Sequence, residues 1–410
     1  LSFIPIIKTG PNSYERLVSF TVRTGFRPSS LPVANRGGET YNSKLSDGDI
    51  YKIAVAETGM YKLTYDFLKN TLEIPVDDID PRKIQLLGNG GGILPENLST
   101  AVADDLLENA IEIVGEADGS FDEDDYILFH GEGASVWGYS LAQDQFIKPM
   151  NFYDDNNYYF IKIAATNGKR VTTQNSVAGA ANSVTVFDGY RRYEDDRLNL
   201  MHDWASGQGS GQQFFGDFFK LQLTNDYSDL LKPTNMVSNS KIKVSAGMAG
   251  RALSGNNTRF KVTANGNEIL SNNFSSTNGE PTNTYADYNS ASGVFTTTSP
   301  NLELSIEYLN SGNTNNEAWL DYVQINYRQK LEMDGEQLSF RDLSSQNFPN
   351  SEFKLAAANS NITIWDVTDG AGARVQMANL NGSQLTFGAQ TEGIVKEFVA
   401  FDKNAPLLNA

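Results

Sequence analysis

Hydrophobic and polar residues alternate with a period of two along much of the chain. Residues 323–328 read Val-Gln-Ile-Asn-Tyr-Arg, residues 219–223 read Phe-Lys-Leu-Gln-Leu, and leucine, isoleucine or tyrosine recurs at every second position of 302–308. Because successive side chains of a strand point to opposite faces, this pattern predicts strands that bury one face. A further alternating run at 259–263 leads into Asn265-Gly266. This pair predicts a type I′ hairpin turn, whose two central residues both need a positive φ.

Helical patterns are few. Thr64 can cap a short helix over residues 65–72, which must end before Pro75. Residues 104–113 are a second helical candidate, although a strand at 110–114 fits the same residues. The chain is therefore predicted to be mainly β.

Changes in composition suggest a multi-domain chain with four segments. Residues 1–45 hold strands and a connector rich in Pro, Ser, Gly and Asn, and residues 46–165 are predicted to form a small α+β module. Residues 166–332 show the strand spacing of a β-sandwich, jelly-roll-like in type. Residues 333–410 are predicted to form a small terminal β module. Its last residues, 403–410, contain Pro406 and show no alternation, which predicts a linker toward a catalytic domain.

Charge and cysteine content exclude several classes of function. The 410 residues include no cysteine, so neither a disulfide nor a cysteine nucleophile can form within them. Fifty acidic residues against 32 basic ones give a net charge of −18, and the cations are scattered, which argues against a nucleic-acid partner. The sequence starts at Leu1 without a signal peptide or an apolar run of about 18 residues. We therefore expect an internal or processed start.

The two histidines, His130 and His202, are the obvious candidates for acid–base chemistry. No G-x-S-x-G nucleophile motif accompanies them, and His130 ends an apolar run, so we expect it to pack or cap. The glycine-rich stretch 88–92 lacks the Lys and Ser/Thr of a phosphate-binding loop and is followed by Pro95. It predicts a sharp loop that depends on glycine.

The densest group of carboxylates spans residues 116–125. Calcium prefers six to eight oxygen ligands, and Asp118, Asp122 and Asp125 are the candidates to supply them. The spacing differs from that of an EF-hand, and the alternative is a solvated acidic turn at Asp118-Gly119. Calcium is the one cofactor that the sequence suggests.

Aromatic residues could offer a platform for sugars. Trp319 lies in a strand-like segment between Glu317 and Asp321, and Trp204 is a second candidate. The alternative is that Trp319 packs inward, as aromatic residues of sandwich strands usually do. A hydrolase that uses a pair of carboxylates is a third and weaker possibility, because no pair is singled out by the sequence.

Taken in order, several motifs resemble the region that precedes the catalytic domain in PorU-type, gingipain-like cysteine peptidases, the type IX secretion system sortases of Bacteroidetes. Each motif is modestly specific, and their order over residues 46–405 is the stronger signal. The motifs are SDGDIYKI (46–53), ETGMYKL (57–63), LLGNGG (86–91), LPE (94–96), DDL (104–106), DGSFD (118–122), DYILFHG (125–131), YYF (158–160), YEDD (193–196), 211–219, 318–327, IWDVTD (364–369) and EFVAFD (397–402).

This resemblance implies a function for the parent protein. The family's enzyme removes a C-terminal sorting domain from secreted cargo and attaches the cargo to lipopolysaccharide, on the extracellular face of the outer membrane. Its partners are the shuttle protein PorV and the attachment-complex proteins PorQ and PorZ. The catalytic cysteine and histidine of the family have no counterpart here, so this region would position substrate, dock a partner or cover the active site. The alternative is a carbohydrate-binding or adhesive β-sandwich protein of the surface.

Overall fold

The computed structural model describes residues 6–11, 13–18, 21, 43–95, 97, 99–201, 213–253, 257–277 and 284–410. The chain divides into two compact units, residues 1–43 and residues 44–410. In the first unit, β1 (Ile6–Gly10) pairs antiparallel with β2 (Ser13–Arg16). Every element described below belongs to the second unit.

The first module of the second unit is built from two sheets around one core. The sheets have the orders β3-β11-β5-β6 and β4-β8-β7, and a short hairpin of β9 and β10 extends from them. Ile53, Leu63, Phe129 and Tyr159 are among the residues of the shared core. The strands are β3 (Asp49–Val55), β4 (Gly59–Thr64), β5 (Ile84–Leu87), β6 (Glu108–Asn109), β7 (Glu112–Val114), β8 (Tyr126–Gly131), β9 (Gly138–Ser140), β10 (Gln145–Ile147) and β11 (Asn157–Ile163).

Two short strands, β12 (Thr172–Gln174) and β13 (Asn182–Val184), lead to an antiparallel β-sandwich. The sandwich packs the sheet β14-β22-β17-β20 against the sheet β16-β21-β18-β19, and β15 adds to β22. Its strands are β14 (Val186–Glu194), β15 (Phe218–Phe219), β16 (Thr224–Asp226), β17 (Lys241–Arg251), β18 (Thr258–Ala264), β19 (Asn267–Phe274), β20 (Asp287–Thr296), β21 (Leu304–Leu309) and β22 (Glu317–Lys330).

The terminal module takes its two edge strands from before the sandwich. Its sheets have the orders β12-β26-β25-β29-β23 and β13-β24-β28-β27, so that β12 and β13 pair in parallel with β26 and β24. Its own strands are β23 (Gln337–Arg341), β24 (Asn350–Leu355), β25 (Ile362–Asp366), β26 (Arg374–Gln376), β27 (Asn379–Asn381), β28 (Gln384–Gln390) and β29 (Glu397–Asp402). The sandwich is thus an insertion between β13 and β23. The domain boundaries drawn from the sequence stay a prediction.

Helices are short. A π-helical segment covers Phe67–Thr71, and the Thr64 hydroxyl accepts a hydrogen bond from the Phe67 amide at 3.3 Å, as a cap should. The other described helices are 3₁₀ turns at Val76–Asp78, Pro81–Lys83, Glu116–Asp118, Leu343–Asn347 and Gly370–Gly372. Within the described residues, no helix is long and apolar enough to span a membrane. The prediction of a mainly β, multi-domain fold is confirmed.

The sandwich core follows the alternation in the sequence. Val323, Ile325 and Tyr327 lie on the buried face of β22, and their side chains are at most 3% exposed. The predicted hairpin joins β18 to β19, and both of its central residues have positive φ, 46° at Asn265 and 78° at Gly266. These features depend on local patterns, which is why the sequence was sufficient to predict them.

Two predicted elements are wrong. Residues 219–223 do not form one strand, because β15 ends at Phe219 and the Leu221 side chain is fully exposed. The helix considered for 104–113 is absent, and the strand alternative is correct at β7. Ile111 and Ile113 both enter the first module's core, a spacing of two that a strand produces and a helix does not.

A separate apolar cluster, the junction cluster, joins the first module to the terminal module. Met60 and Leu128 come from β4 and β8, whereas Trp365 and Val399 come from β25 and β29. All four side chains are fully buried. The junction cluster therefore fixes the two modules against each other.

The end of the chain is not the free linker that the sequence predicted. Leu408 forms a parallel bridge with Tyr61, accepting from the Lys62 amide at 3.1 Å and donating to the Met60 carbonyl at 3.2 Å. Leu407 enters the junction cluster, and Leu408 packs on the first module's core. The linker prediction is wrong because the edge of β4 offers backbone partners and two apolar sites to adjacent leucines.

Candidate functional site

The acidic turn lies at the end of the 3₁₀ segment Glu116–Asp118. Asp118 accepts a hydrogen bond from the Ser120 amide at 3.0 Å, and Asp125 accepts one from the Asp122 amide at 2.9 Å. Asp125 is buried, whereas Asp122 is exposed. Two of the three predicted calcium ligands thus stabilise the backbone of the turn itself.

Cations lie close to this turn. Arg170 forms an ion pair of 2.8 Å with Glu116, and the Arg82 guanidinium lies beside Gly119. Across the described residues, no group of three or more acidic or histidine side chains is arranged so that it could hold a metal ion. Calcium at Asp118, Asp122 and Asp125 stays a prediction that a binding experiment must test.

His130 is buried in β8, with 5% of its surface exposed. Neither ring nitrogen has a hydrogen-bond partner within the described part of the chain. Burial lowers the pKa of His130 to about 4, because desolvation penalises the charged ring. The side chain packs, as the sequence predicted, while His202 lies outside the described residues.

The glycine-rich stretch forms a tight loop that holds no phosphate-binding helix. Gly90 and Gly92 have φ of 76° and 94°, which favours glycine. A Cβ on Gly91 would lie 1.9 Å from the Gly133 carbonyl oxygen. The Gly91 amide donates to the Glu132 carboxylate at 2.9 Å. The loop is therefore a structural element that lies against residues 132–134.

Trp319 is not a sugar platform, because only 4% of its surface is exposed. The Phe218 ring stacks on it, with 5.2 Å between the two ring centroids. Glu317 forms ion pairs with Lys220 at 3.0 Å and Arg251 at 3.1 Å. Asp321 accepts hydrogen bonds from the Tyr288 hydroxyl at 2.7 Å and from Gln213 at 3.0 Å. Neighbouring side chains thus hold both carboxylates, and Trp204 lies outside the described residues.

The β9–β10 hairpin, which we call the arm, lies on the outer face of the sandwich sheet. Asn326 of β22 accepts from the Phe146 amide at 2.7 Å and donates to the Phe146 carbonyl at 3.0 Å. Gln145 accepts from Ser245 of β17 at 2.9 Å, and both of these side chains are buried. The arm therefore attaches the first module to the sandwich through specific polar contacts.

Along β14 runs a groove, the β14 groove, formed by three adjoining cavities. The first has a volume of about 610 Å³ and is lined by residues 187–191 together with Trp137, Lys148 and Arg341. The second, about 230 Å³, shares Lys148 with the first. The third, about 460 Å³, shares Glu194 with the second.

The third cavity is strongly acidic. Its lining includes five carboxylates, from Asp154, Asp155, Glu194, Asp195 and Asp196, and no basic side chain. Burial raises the pKa of Glu194, against the effect of the Arg192 guanidinium. Burial and the nearby Asp321 carboxylate raise the pKa of Asp196. The raised pKa values reflect chiefly the burial of these two carboxyl groups, and the five carboxylates of the lining make this end of the groove acidic.

Sequence reasoning missed the β14 groove. Its walls come from Trp137 and Lys148 on either side of the arm, from β14 and from β23, which are far apart along the chain. One signal was present, the run of three carboxylates at Glu194, Asp195 and Asp196 within the motif at 193–196. Nothing in the sequence indicates that Asp154 and Asp155 would lie across from that run.

No protein-family model and no curated protein matches the chain. Among solved structures, the chain is similar to dimeric latent PorU from Porphyromonas gingivalis, with a TM-score of 0.68 and 22% sequence identity over 88% of this chain. The match covers 32% of that PorU chain, so this chain spans about one third of its length.

Two carbohydrate-binding modules are also similar over part of the chain. The CBM22-1 xylan-binding domain from Paenibacillus barcinonensis has a TM-score of 0.17 and 13% identity, covering 33% of this chain and 97% of that one. The CBM36-1 domain of a xylanase from the hindgut metagenome of Trinervitermes trinervoides has a TM-score of 0.18 and 10% identity, covering 34% and 95%. Scores this low support no argument about this protein. The resemblance drawn from the ordered motifs is confirmed at the level of architecture: this chain has a PorU-like fold.

Proposed function

We propose that this chain is a non-catalytic region of a PorU-type cell-surface cysteine peptidase. The observation that carries the proposal is the fold match to PorU, which extends over 88% of the chain and is therefore not confined to the sandwich. The ordered motifs between residues 46 and 405 agree with it. The chain contains no cysteine, so a catalytic cysteine would have to come from elsewhere in such a protein.

In this role the region positions substrate or docks a partner on the extracellular face of the outer membrane. The proposed partners are PorV, PorQ, PorZ, secreted cargo and lipopolysaccharide, by resemblance to the family. The arm and the junction cluster support a positioning role, because they fix three modules against one another. A rigid scaffold is what holds a binding surface in a fixed geometry.

The test is the removal of residues 44–410 from the protein in its native cells. We expect secreted cargo to keep its C-terminal sorting domain, as measured by intact-mass spectrometry, while an immunoblot confirms that the shortened protein is still present. In parallel, the purified 410-residue chain should not cleave peptides. Normally processed cargo in the deletion strain would contradict the proposal.

Carbohydrate binding or adhesion was the alternative from the sequence. The burial of Trp319 removes one of its two aromatic candidates. A glycan array with the purified chain addresses the alternative directly, and saturable binding to one glycan class would favour it over the peptidase role.

A further inference from the structure

Strand β14 lies at the edge of its sheet and pairs with β22 alone. The Leu331 amide donates to the Thr185 carbonyl at 2.8 Å, which makes these two residues a hydrogen-bonded pair. Bonded and non-bonded pairs alternate along an antiparallel ladder. Tyr190, Arg192 and Glu194 therefore belong to non-bonded pairs and direct their backbone N–H and C=O groups away from β22.

The outward amides are available for a new strand, whereas the Tyr190 carbonyl already accepts a hydrogen bond from the Arg191 guanidinium at 2.9 Å. No described residue accepts a hydrogen bond from the backbone amides of Tyr190, Arg192 or Glu194. Open strand edges of this kind are templates for pairing with another extended chain. At about 3.3 Å per residue, the length from residue 189 to residue 194 accommodates roughly six residues of an added strand.

The β14 groove provides room beside this edge. Its first cavity is lined by the consecutive residues 187–191, whose side chains alternate between the two faces of the strand. The same cavity is lined by Gln337, Leu338, Ser339 and Arg341 of β23, so it lies along β14 where that strand faces β23. The groove then continues past Arg192 and Glu194 to the acidic third cavity.

Charge selects the occupant. Asp155 and Asp196, two of the five carboxylates at the acidic end, are both exposed, and neither has a hydrogen bond or ion pair with a described residue. A basic side chain placed there would pair with these carboxylates and offset their mutual repulsion.

We propose that the edge of β14 binds an extended peptide segment of a partner protein as an added antiparallel strand, with Lys or Arg at the end that meets Glu194. Since β14 runs toward Glu194, an antiparallel peptide places its N-terminal end there. The proposal stands on the edge and its charge, and it holds whether or not the accessory role in a peptidase does.

The probe is the amidated peptide Lys-Arg-Thr-Val-Ser-Val-Thr, labelled at its C-terminal end and titrated with the full chain by fluorescence anisotropy. We expect saturable binding and slower hydrogen exchange at the amides of Tyr190, Arg192 and Glu194. Two forms of the peptide, N-methylated at one or the other set of alternate amides, separate strand pairing from charge attraction. The form whose methyl groups face β14 should not bind, because it cannot donate hydrogen bonds to that strand. The form whose methyl groups point away from β14 should still bind. Equal binding of both forms overturns the proposal.

The double variant Asp155→Asn, Asp196→Asn tests the charge. It should weaken the peptide roughly three- to tenfold, as expected for the loss of two exposed ion pairs. Glu123→Gln with Asp124→Asn, an exposed acidic pair on the calcium-candidate turn, changes the net charge equally and should leave binding unchanged. Equal effects of the two double variants would overturn the proposed position of the basic end.

A second copy of the chain is the competing occupant. Sedimentation across a concentration series, with hydrogen exchange at each concentration, distinguishes the two. A monomer with exchanging edge amides supports the peptide proposal. A dimer that protects the amides of Tyr190, Arg192 and Glu194 and excludes the probe overturns it.

Discussion

Replacing His130 should remove a large part of the protein's sensitivity to acid. In the folded chain the pKa of His130 is lowered to about 4 from its ordinary value of 6.5, because the ring is desolvated. Between these two values the unfolded chain binds a proton that the folded chain does not, so the free energy of unfolding falls as the pH falls through this window. The full shift is worth about 3 kcal/mol, since each pKa unit corresponds to about 1.4 kcal/mol. At pH 4.5 most of this, about 2.5 kcal/mol, has been lost.

The assay is urea denaturation of the parent and of His130→Leu at pH 7.5 and pH 4.5, followed by tryptophan fluorescence. The difference between the two proteins cancels the titration of all other groups. We expect the variant to lie within about 1.5 kcal/mol of the parent at pH 7.5, because the two side chains have similar volumes. At pH 4.5 its stability relative to the parent should improve by about 2.5 kcal/mol. Phe129→Leu, a control in the same strand, should change stability equally at both pH values. If parent and His130→Leu lose the same stability between the two conditions, the ring does not titrate as its burial implies.

Four further outcomes follow from the structure. Val323→Asp should abolish the cooperative unfolding transition of the sandwich in a thermal melt, because an unpaired buried charge costs several kcal/mol, whereas Val294→Asp on the exposed face should melt like the parent. Leu408→Asp should speed hydrogen exchange at the Lys62 amide, and unchanged exchange would show that the chain end does not hold β4. Gly91→Ala should lower the melting temperature, since its Cβ meets a carbonyl oxygen of Gly133, and a neutral result would mean that the loop can move. The melting temperature should be the same in millimolar calcium and in chelator, because backbone amides and arginines stabilise the acidic turn. A rise in calcium that Asp122→Asn abolishes would instead establish that the turn binds a calcium ion.

The parts of the fold that the sequence predicted are those encoded over a few residues. Alternation is sufficient for β22 and its buried face at Val323 and Ile325, and two residues are sufficient for the turn at Asn265-Gly266. The same rule failed at Leu221, where alternation is present but the strand ends two residues earlier at Phe219. A strand needs a partner for its backbone as well as a pattern, and the sequence does not show where partners run out.

The rest depended on contacts between distant residues. Leu407 and Leu408 are adjacent and belong to no alternating hydrophobic pattern. They enter two different cores because β4 lies beside them. The β14 groove has the same origin, since Lys148, which follows the arm, and Glu194 of β14 line one cavity only because the tertiary structure brings them together. The sequence does not show that single polar residues of this kind share a cavity, because only the tertiary structure places them together.

The position of the sandwich between β13 and β23 sets an order for folding during synthesis. Strand β12 can pair with β26 only after β26 has been synthesised. Arg374, which donates a hydrogen bond to Gln174, lies 200 positions later in the chain. At about 5 to 20 residues per second the ribosome needs about 10 to 40 s to supply that partner, which is long enough for the intervening sandwich to fold first. The hydrogen bond from Leu331 to Thr185 then brings the entry and exit of the sandwich together, shortening the effective loop between β13 and β24. A destabilised sandwich would therefore also delay closure of the terminal module and leave its strands unpaired for longer on the nascent chain.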